Sequence, residues 1–285
     1  MLKYLRTYTS FVKFSHTVFA LPFALIGFFY GVQQVGFDGL LLVKVVLCMV
    51  FARNAAMGFN RYADRKIDAA NPRTANREIP KGIITPKNAL AFVIGNSILF
   101  VICAGWINTL CLILSPVALL IVLGYSLTKR FTSLSHLFLG LSLAIAPSGA
   151  YIAVAGTLSW APVFLSLLVL TWSGGFDIIY SLQDADFDRE NRLHSIPARL
   201  GIKGALCVSA GLHLLTLVMV IILDGYWGGT IFSRMGAGLF IALLIYQHLI
   251  VSPGKLDRVN MAFSTTNGLA SIVYAAGVIA GFYMG

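Results

Sequence analysis

The sequence predicts an all-α membrane protein, a bundle of nine transmembrane helices, and three observations lead to this fold class. Of the 285 residues, 58% are hydrophobic and only 11% are charged, whereas soluble domains carry about 25% charged residues. Apolar runs of about 20 residues recur along the chain, and each is long enough to cross a hydrocarbon core roughly 30 Å thick as a helix. These runs are continuous, unlike the alternating strands of a membrane barrel.

The predicted spans cover most of the chain, which we therefore interpret as one integral membrane domain over residues 1–285 with the lipid bilayer as its surroundings. They are residues 15–35, 40–59, 88–106, 110–127, 136–155, 162–180, 204–223, 229–250 and 262–283.

Basic residues are concentrated on one side of the predicted bundle. Eighteen of the 21 Lys and Arg lie in the N-terminal segment and in the connections 60–87, 128–135, 181–203 and 251–261. The positive-inside rule assigns these segments and the N-terminus to the cytoplasm, and the C-terminus to the outside. This topology and attraction to anionic headgroups explain the net charge of +10, so we predict no nucleic-acid partner.

Acidic residues gather at the cytoplasmic ends of the second and sixth predicted helices, and eight of the 11 Asp and Glu lie in these two stretches. At the first, Asn60, Asp64 and Asp68 follow each other at i, i+4 and i+8. This spacing places the three side chains on one face of a helix. The result is a stripe of oxygen atoms where the helix leaves the membrane.

The second acidic stretch has the same helical spacing. Asp177, Tyr180, Asp184 and Asp188 share a helix face, whereas Asp186 points roughly opposite. Carboxylates at i and i+4 repel each other unless a cation lies between them. Mg²⁺ favours carboxylate, amide and water oxygens, often together with substrate phosphates. We therefore expect a Mg²⁺ and phosphate site at the cytoplasmic ends of helices two and six.

The two stretches also resemble halves of a parallel internal duplication. Each ends a helix that runs inward, contains Asp-x-x-x-Asp, and continues into a loop that closes on Ile-Pro, at Ile79-Pro80 and Ile196-Pro197. We expect the two acidic stripes to face each other across a cleft and to bind two ions bridged by a diphosphate.

Two ionisable residues lie inside predicted spans, where a charge is costly and usually functional. Asp177 follows Trp172-Ser173-Gly174-Gly175-Phe176, and Arg53 lies within the second span. Arg53 is either part of the site or the internal partner of a carboxylate, and both readings stay open.

At these residues the chain resembles the UbiA superfamily of intramembrane aromatic prenyltransferases over essentially its whole length. The matching features are the nine predicted helices, the motif formed by Asn60, Asp64 and Asp68, and Asp184-x-x-x-Asp188 after helix six. One position departs from the pattern, because many members have Asp directly after the motif's Asn, where this chain has Arg61.

The resemblance implies that Asp64, Asp68, Asp184 and Asp188 hold Mg²⁺ and a polyprenyl diphosphate, with Asn60 assisting as a metal ligand. It also implies that Lys129 contacts the diphosphate. Basic residues such as Arg77 would neutralise phosphate oxygens as the leaving group departs.

Within the superfamily, Phe14-Ser15-His16 and His194-Ser195-Ile196-Pro197 are most similar to bacterial 4-hydroxybenzoate polyprenyltransferases. This implies transfer of the chain to a ring carbon of an aromatic acid in quinone biosynthesis, at the bacterial inner membrane. Prenylation of a naphthoate in menaquinone biosynthesis is the alternative.

We hypothesise that the allylic carbon gains carbocation character in this reaction. The faces of aromatic side chains such as Tyr180, Tyr125 and Phe176 are candidates to stabilise it. Asp177 is our candidate for the base that removes the ring proton, and Lys13 or Arg73 for binding the acceptor's carboxylate. A membrane ion or solute transporter is the non-enzyme alternative, because intramembrane charges and an internal repeat also occur in carriers.

Overall fold

The computed structural model describes residues 2–12 and 19–284, and this part of the chain is built from helices and contains no β-strand. The helices are α1 (Leu2–Phe11), α2 (Leu21–Val35), α3 (Gly39–Ala63), α4 (Arg65–Ala70), α5 (Pro86–Ile107), α6 (Thr109–Thr128), α7 (Ser135–Ala155), α8 (Trp160–Ser181), α9 (Ala185–Glu190), α10 (Ile196–Trp227), α11 (Ile231–Ile250), α12 (Val259–Met261) and α13 (Asn267–Met284). A 3₁₀ turn occupies Leu182–Asp184 and a π-helical segment occupies Ala262–Thr266.

Eight helical stretches of the described chain are long and apolar enough to cross a membrane. They match eight of the nine predicted spans. The remaining one, predicted at 15–35, corresponds to the shorter apolar helix α2, so the count of nine stays a prediction. Large apolar side chains are exposed along these stretches, for example 70% of Trp106 and 74% of Leu120. Lipid accommodates such a surface and water does not, so the chain is an integral membrane protein.

The described chain divides into two compact units. The first, within residues 1–17 and 40–127, contains α1 and α3 to α6. Phe11 and Val12 pack with Ile79, Ile84 and Ala89 at one end of this unit. Deeper in the unit, Asn54 on α3 donates a hydrogen bond to Asn96 on α5 at 3.1 Å, and this amide pair fixes the register of the two helices.

The second unit, within residues 18–39 and 128–285, contains α2 and α7 to α13. Its core is aromatic: Trp172 of α8 lies between Phe23, Phe176 and Phe240, with ring centroids 4.9 to 6.0 Å apart. Such pairs add orientation preferences to the burial of apolar area, so they define how α2, α8 and α11 pack.

A polar network crosses this core. The Nδ1 atom of His213 lies 2.8 Å from Nε2 of His248, and its Nε2 lies 3.2 Å from the carbonyl of Trp172. Asn267 accepts a hydrogen bond from the Trp172 indole at 3.1 Å and donates to Gln247 at 3.3 Å. Buried polar groups without partners are costly, so this network specifies the mutual register of α8, α10, α11 and α13.

Helices α7 and α8 approach closely at Gly140. A Cβ atom at this position would lie 2.5 Å from the carbonyl oxygen of Leu170 and 3.3 Å from the backbone nitrogen of Gly174. Only a residue without a side chain allows this contact, which sits one turn from His136 and aligns the start of α7 with the end of α8.

Helix α10 bends at Gly201, whose φ of 68° and ψ of 177° lie outside the helical region. The helix begins at an N-cap, where the Ser195 hydroxyl accepts a hydrogen bond from the Ala198 backbone nitrogen at 3.3 Å. Pro197 occupies the first turn, where its missing N–H costs nothing.

The corresponding Ile-Pro pair in the first half of the predicted duplication has a different structure. Ile79-Pro80 lies in turns, and α5 starts only at Pro86. The predicted internal duplication therefore stays a prediction.

We predict that Gly140→Ala destabilises the protein by about 1–3 kcal/mol, because the added methyl group overpacks the contact between α7 and α8. Gly149→Ala on the same helix is the matched control, since no atom lies within 4 Å of its Cβ position. The control should leave the melting temperature unchanged or raise it slightly. Melting curves in detergent measure both, and equal melting temperatures for the two variants would contradict the close approach.

Candidate active site

The first acidic stretch continues the helical path of α3 beyond its end. Asp64 separates α3 from α4, yet its backbone nitrogen bonds to the carbonyl of Asn60 at 2.9 Å, and that of Asp68 to Asp64 at 2.7 Å. The predicted i, i+4, i+8 register is therefore confirmed. The Asn60 amide also donates to the Asp64 carboxylate at 3.2 Å, which orients one of its oxygens.

The loop after α4 folds back onto Asp68. Thr74 donates its hydroxyl hydrogen to the Asp68 carbonyl at 3.1 Å, and Nη1 of Arg77 lies 2.6 Å from Oδ1 of Asp68. The loop starts with a turn in which the Arg73 nitrogen donates to the Asn71 side chain at 2.9 Å. Arg77 therefore neutralises a carboxylate that is only 4% exposed.

The second acidic stretch follows α8 through the 3₁₀ turn into α9. Asp184 and Asp188 are buried, whereas the Asp186 side chain is 89% exposed and pairs with Arg189 at 3.1 Å. The predicted orientation of Asp186 away from the other carboxylates is confirmed. Asp184 and Asp188 stay buried across the 3₁₀ turn at Leu182–Asp184.

Lys129 pairs with Asp188. Its Nζ atom lies 2.7 Å from Oδ1 of Asp188, which is 0% exposed. Backbone hydrogen bonds hold this pair in place, because the Leu193 nitrogen donates to the Asp188 carbonyl and the His194 nitrogen to the Lys129 carbonyl, each at 2.8 Å. The sequence singled out both residues but did not predict that they contact each other.

Asp177 contacts His136, a residue that the sequence analysis did not single out. Nδ1 of His136 lies 2.7 Å from Oδ2 of Asp177, and its Nε2 accepts a hydrogen bond from the Ile196 backbone nitrogen at 3.4 Å. Because Nε2 accepts, the proton of the neutral ring lies on Nδ1 and is donated to the carboxylate. The residues are 41 positions apart, so sequence spacing gives no sign of the pair.

Aromatic side chains precede and follow Asp177 along α8. Tyr180 stacks on Phe263 with ring centroids 4.1 Å apart, and Phe176 meets the edge of Phe263 at 5.5 Å. Phe263 belongs to the π-helical segment, a local distortion that is frequent at functional sites. The sequence predicted Tyr180 and Phe176 but missed Phe263, because the insertion of a π turn has no clear sequence pattern.

The remaining predicted site residues have different surroundings. Arg53 is half-buried on α3, and Arg73 is exposed in the loop after α4. Lys13 lies outside the described residues, so its predicted role stays a prediction.

The oxygens of the first stretch suit Mg²⁺. Oδ2 of Asp68 is buried and has no hydrogen-bond partner among the residues that the structure describes. Within the same residues, no group of three or more His, Cys, Asp and Glu side chains could hold a metal by itself. Mg²⁺ is commonly bound by one or two carboxylates, with phosphate and water oxygens completing its octahedron. The donor set therefore fits Mg²⁺ that arrives with a phosphate ligand.

We predict that Lys129→Met lowers the stability of the protein by roughly 1–3 kcal/mol, because it leaves the buried Asp188 carboxylate without its cation. Adding Asp188→Asn should recover part of this loss, since the unpaired charge is then removed. Lys87→Met, at an exposed lysine, is the control and should melt like the wild type. The melting temperatures of Lys129→Met, Asp188→Asn and the double variant are compared. If the effects of the two single changes simply add in the double variant, the ion pair is contradicted.

Known proteins resemble the chain in sequence and in fold. A sequence profile described as the UbiA prenyltransferase family matches residues 20–278. The 4-hydroxybenzoate octaprenyltransferase of Aliivibrio fischeri (strain MJ11) is 30% identical over 250 residues, which cover 84% of this chain and 84% of the relative.

Two solved structures extend the likeness. A UbiA homolog from Aeropyrum pernix K1 is 34% identical, with a TM-score of 0.84 over 93% of this chain and 97% of that chain. A UbiA homolog from Archaeoglobus fulgidus, bound to DMAPP and Mg²⁺, has a TM-score of 0.78 at 18% identity, over 98% of this chain and 99% of that chain. At this lower identity the likeness concerns the fold alone.

Proposed function

The chain belongs to the UbiA prenyltransferase family, and from this premise we propose that it transfers a polyprenyl chain from its diphosphate to a ring carbon of 4-hydroxybenzoate in quinone biosynthesis. Membership in a family of transferases removes the transporter alternative. The relative from Aliivibrio fischeri, named 4-hydroxybenzoate octaprenyltransferase, supports this acceptor. The proposed location is a bacterial inner membrane, with the N-terminus and the site on the cytoplasmic side.

The observation that carries the proposal is the pairing of buried carboxylates with basic groups at the helix ends. Asp68 with Arg77 and Asp188 with Lys129 each combine a potential metal ligand with a cation at 2.6 and 2.7 Å. A diphosphate bound with metal ions needs both kinds of group, because carboxylates hold the metal and cations neutralise the phosphate oxygens.

In the proposed reaction, Asp64, Asp68, Asp184 and Asp188, assisted by Asn60, bind the metal-diphosphate group. Mg²⁺, when bound, acts as a Lewis acid that stabilises the charge of the leaving diphosphate. Arg77 and Lys129 then exchange part of their contact with the carboxylates for contact with phosphate oxygens. This stabilises the departing group and weakens its bond to the allylic carbon.

The aromatic side chains and Asp177 act on the other partner. Tyr180 and Phe263, which stack on each other, are the proposed aromatic groups that stabilise positive charge at the allylic carbon. The ring carbon of the acceptor attacks this carbon, and the Asp177 carboxylate removes the ring proton. His136 fixes the orientation of that carboxylate through its Nδ1 hydrogen. Lys13 or Arg73 is the proposed cation for binding the acceptor's carboxylate, and Arg53 is a further candidate for substrate binding.

We expect purified protein to form a prenylated 4-hydroxybenzoate when incubated with a polyprenyl diphosphate and Mg²⁺. Asp64→Ala or Asp184→Ala should abolish transfer while leaving membrane insertion intact, because a metal ligand is lost at a helix end. Asp186→Ala, at the exposed carboxylate, is the matched control and should retain activity. Product masses measure the transfer, and near-normal turnover in Asp64→Ala or Asp184→Ala would sink the assignment.

The role of Asp177 has a separate test, a kinetic isotope effect with 4-hydroxybenzoate deuterated on the ring. His136→Ala should lower kcat and produce an isotope effect, because proton removal by a misoriented carboxylate becomes slow. His136→Asn should restore much of the rate, since its amide can donate to Asp177 in place of Nδ1. If His136→Ala lowers kcat without any isotope effect, His136 does not position the base.

A further inference from the structure

Arg61 is a buried cation that the proposed reaction does not yet use. It follows Asn60 on the last turn of α3, and only 4% of the residue is exposed. Its Nε and Nη1 atoms have no hydrogen-bond partner among the described residues. A guanidinium is always charged and only donates, and a buried charge without a partner is strongly unfavourable. These two donors have no acceptor among the described residues, so they are available to the oxygen atoms of a bound anion.

The carboxylates around Arg61 already have other partners. Arg61 interacts electrostatically with Asp68, Glu78 and Arg77. Oδ1 of Asp68 lies 2.6 Å from Arg77, and Oε1 of Glu78 accepts a hydrogen bond from Ser10 at 2.7 Å. Arg77 repels Arg61, because both are cations. Two guanidinium groups that share one neighbourhood favour a ligand with several negative charges.

A carboxylate oxygen of Asp68 indicates which kind of anion this ligand is. Oδ2 of Asp68 is buried and unpartnered among the described residues, beside the same pair of arginines. An oxygen that suits Mg²⁺ next to two guanidinium groups matches a diphosphate that carries a metal. The carboxylate of an aromatic acid is also an oxyanion, but it has a single charge and brings no metal.

We propose that Arg61 is a binding residue for the diphosphate group of the prenyl donor, donating from Nε and Nη1 to phosphate oxygens. The inference rests on the proposed function and deepens it. The planar fork of Arg suits such a contact better than the point charge of Lys.

The test is calorimetric titration of the full chain in detergent with inorganic pyrophosphate at fixed Mg²⁺. Arg61→Gln should weaken pyrophosphate binding roughly 10- to 100-fold, as expected for lost hydrogen bonds to a charged group. Arg65→Gln is the matched control on the same stretch, because Arg65 already donates to the Tyr62 carbonyl at 2.7 Å and covers the Tyr62 ring at 4.5 Å. This control should bind pyrophosphate like the wild type.

A second titration with 4-hydroxybenzoate separates the two oxyanions. Unchanged 4-hydroxybenzoate binding together with weaker pyrophosphate binding supports the proposal. Unchanged pyrophosphate affinity in Arg61→Gln, or a loss confined to 4-hydroxybenzoate, overturns it. Without ligand, Arg61→Gln should melt at or above the wild-type temperature, since the change removes a buried charge that Arg77 repels. A structural arginine would instead give a lower melting temperature.

Arg61→Lys keeps the test valid if Arg61→Gln does not fold. It retains the charge but loses the fork, so pyrophosphate should bind several-fold more weakly, and wild-type affinity in this variant overturns the proposal. Pyrophosphate binding is measured without acceptor or turnover. A wild-type protein that binds pyrophosphate but transfers no prenyl chain therefore contradicts the proposed function and leaves the role of Arg61 standing.

Discussion

The structure depends on one electrostatic constraint, the need to compensate carboxylates that are buried where apolar helices end. Asp68 and Asp188 are buried, and each lies within 2.7 Å of a cationic side chain from the same unit. The half-buried Asp177 accepts a hydrogen bond from His136 at 2.7 Å. These contacts hold the loops that follow the acidic stretches in place. The loop after α4 turns back to deliver Arg77, and the segment after α9 is held by backbone bonds to Asp188 and Lys129. A different loop path would leave a charge buried alone, at a cost of several kcal/mol.

The same pairs reconcile stability with the proposed reaction. A site made only of carboxylates would repel itself, and a site made only of cations would do likewise. Pairing them keeps the protein folded and keeps the charges in place for a ligand that carries both signs, a metal ion with a diphosphate. Binding then exchanges partners between the protein's charges and those of the metal ion and the diphosphate, which partly neutralise each other.

The sequence predicts local features of this protein well. The register of Asn60, Asp64 and Asp68 and the exposure of Asp186 follow from helical periodicity alone. Contacts between distant residues could not be predicted in this way. His136 meets Asp177 because Gly140 lets α7 approach α8, and no pattern in one sequence reports that approach. Family resemblance located the charged residues but did not indicate which of them pair.

The bend at Gly201 divides α10 into a short first part and a long second part. The short first part carries the Ile196 nitrogen that binds His136, and the part after the bend is a long apolar helix of about 39 Å at 1.5 Å per residue. A helix longer than the hydrocarbon core tilts, and the tilt changes with bilayer thickness. Because the bend at Gly201 interrupts the helix before the segment that carries Ile196, we expect the His136–Asp177 contact to change little with the lipid composition of the membrane.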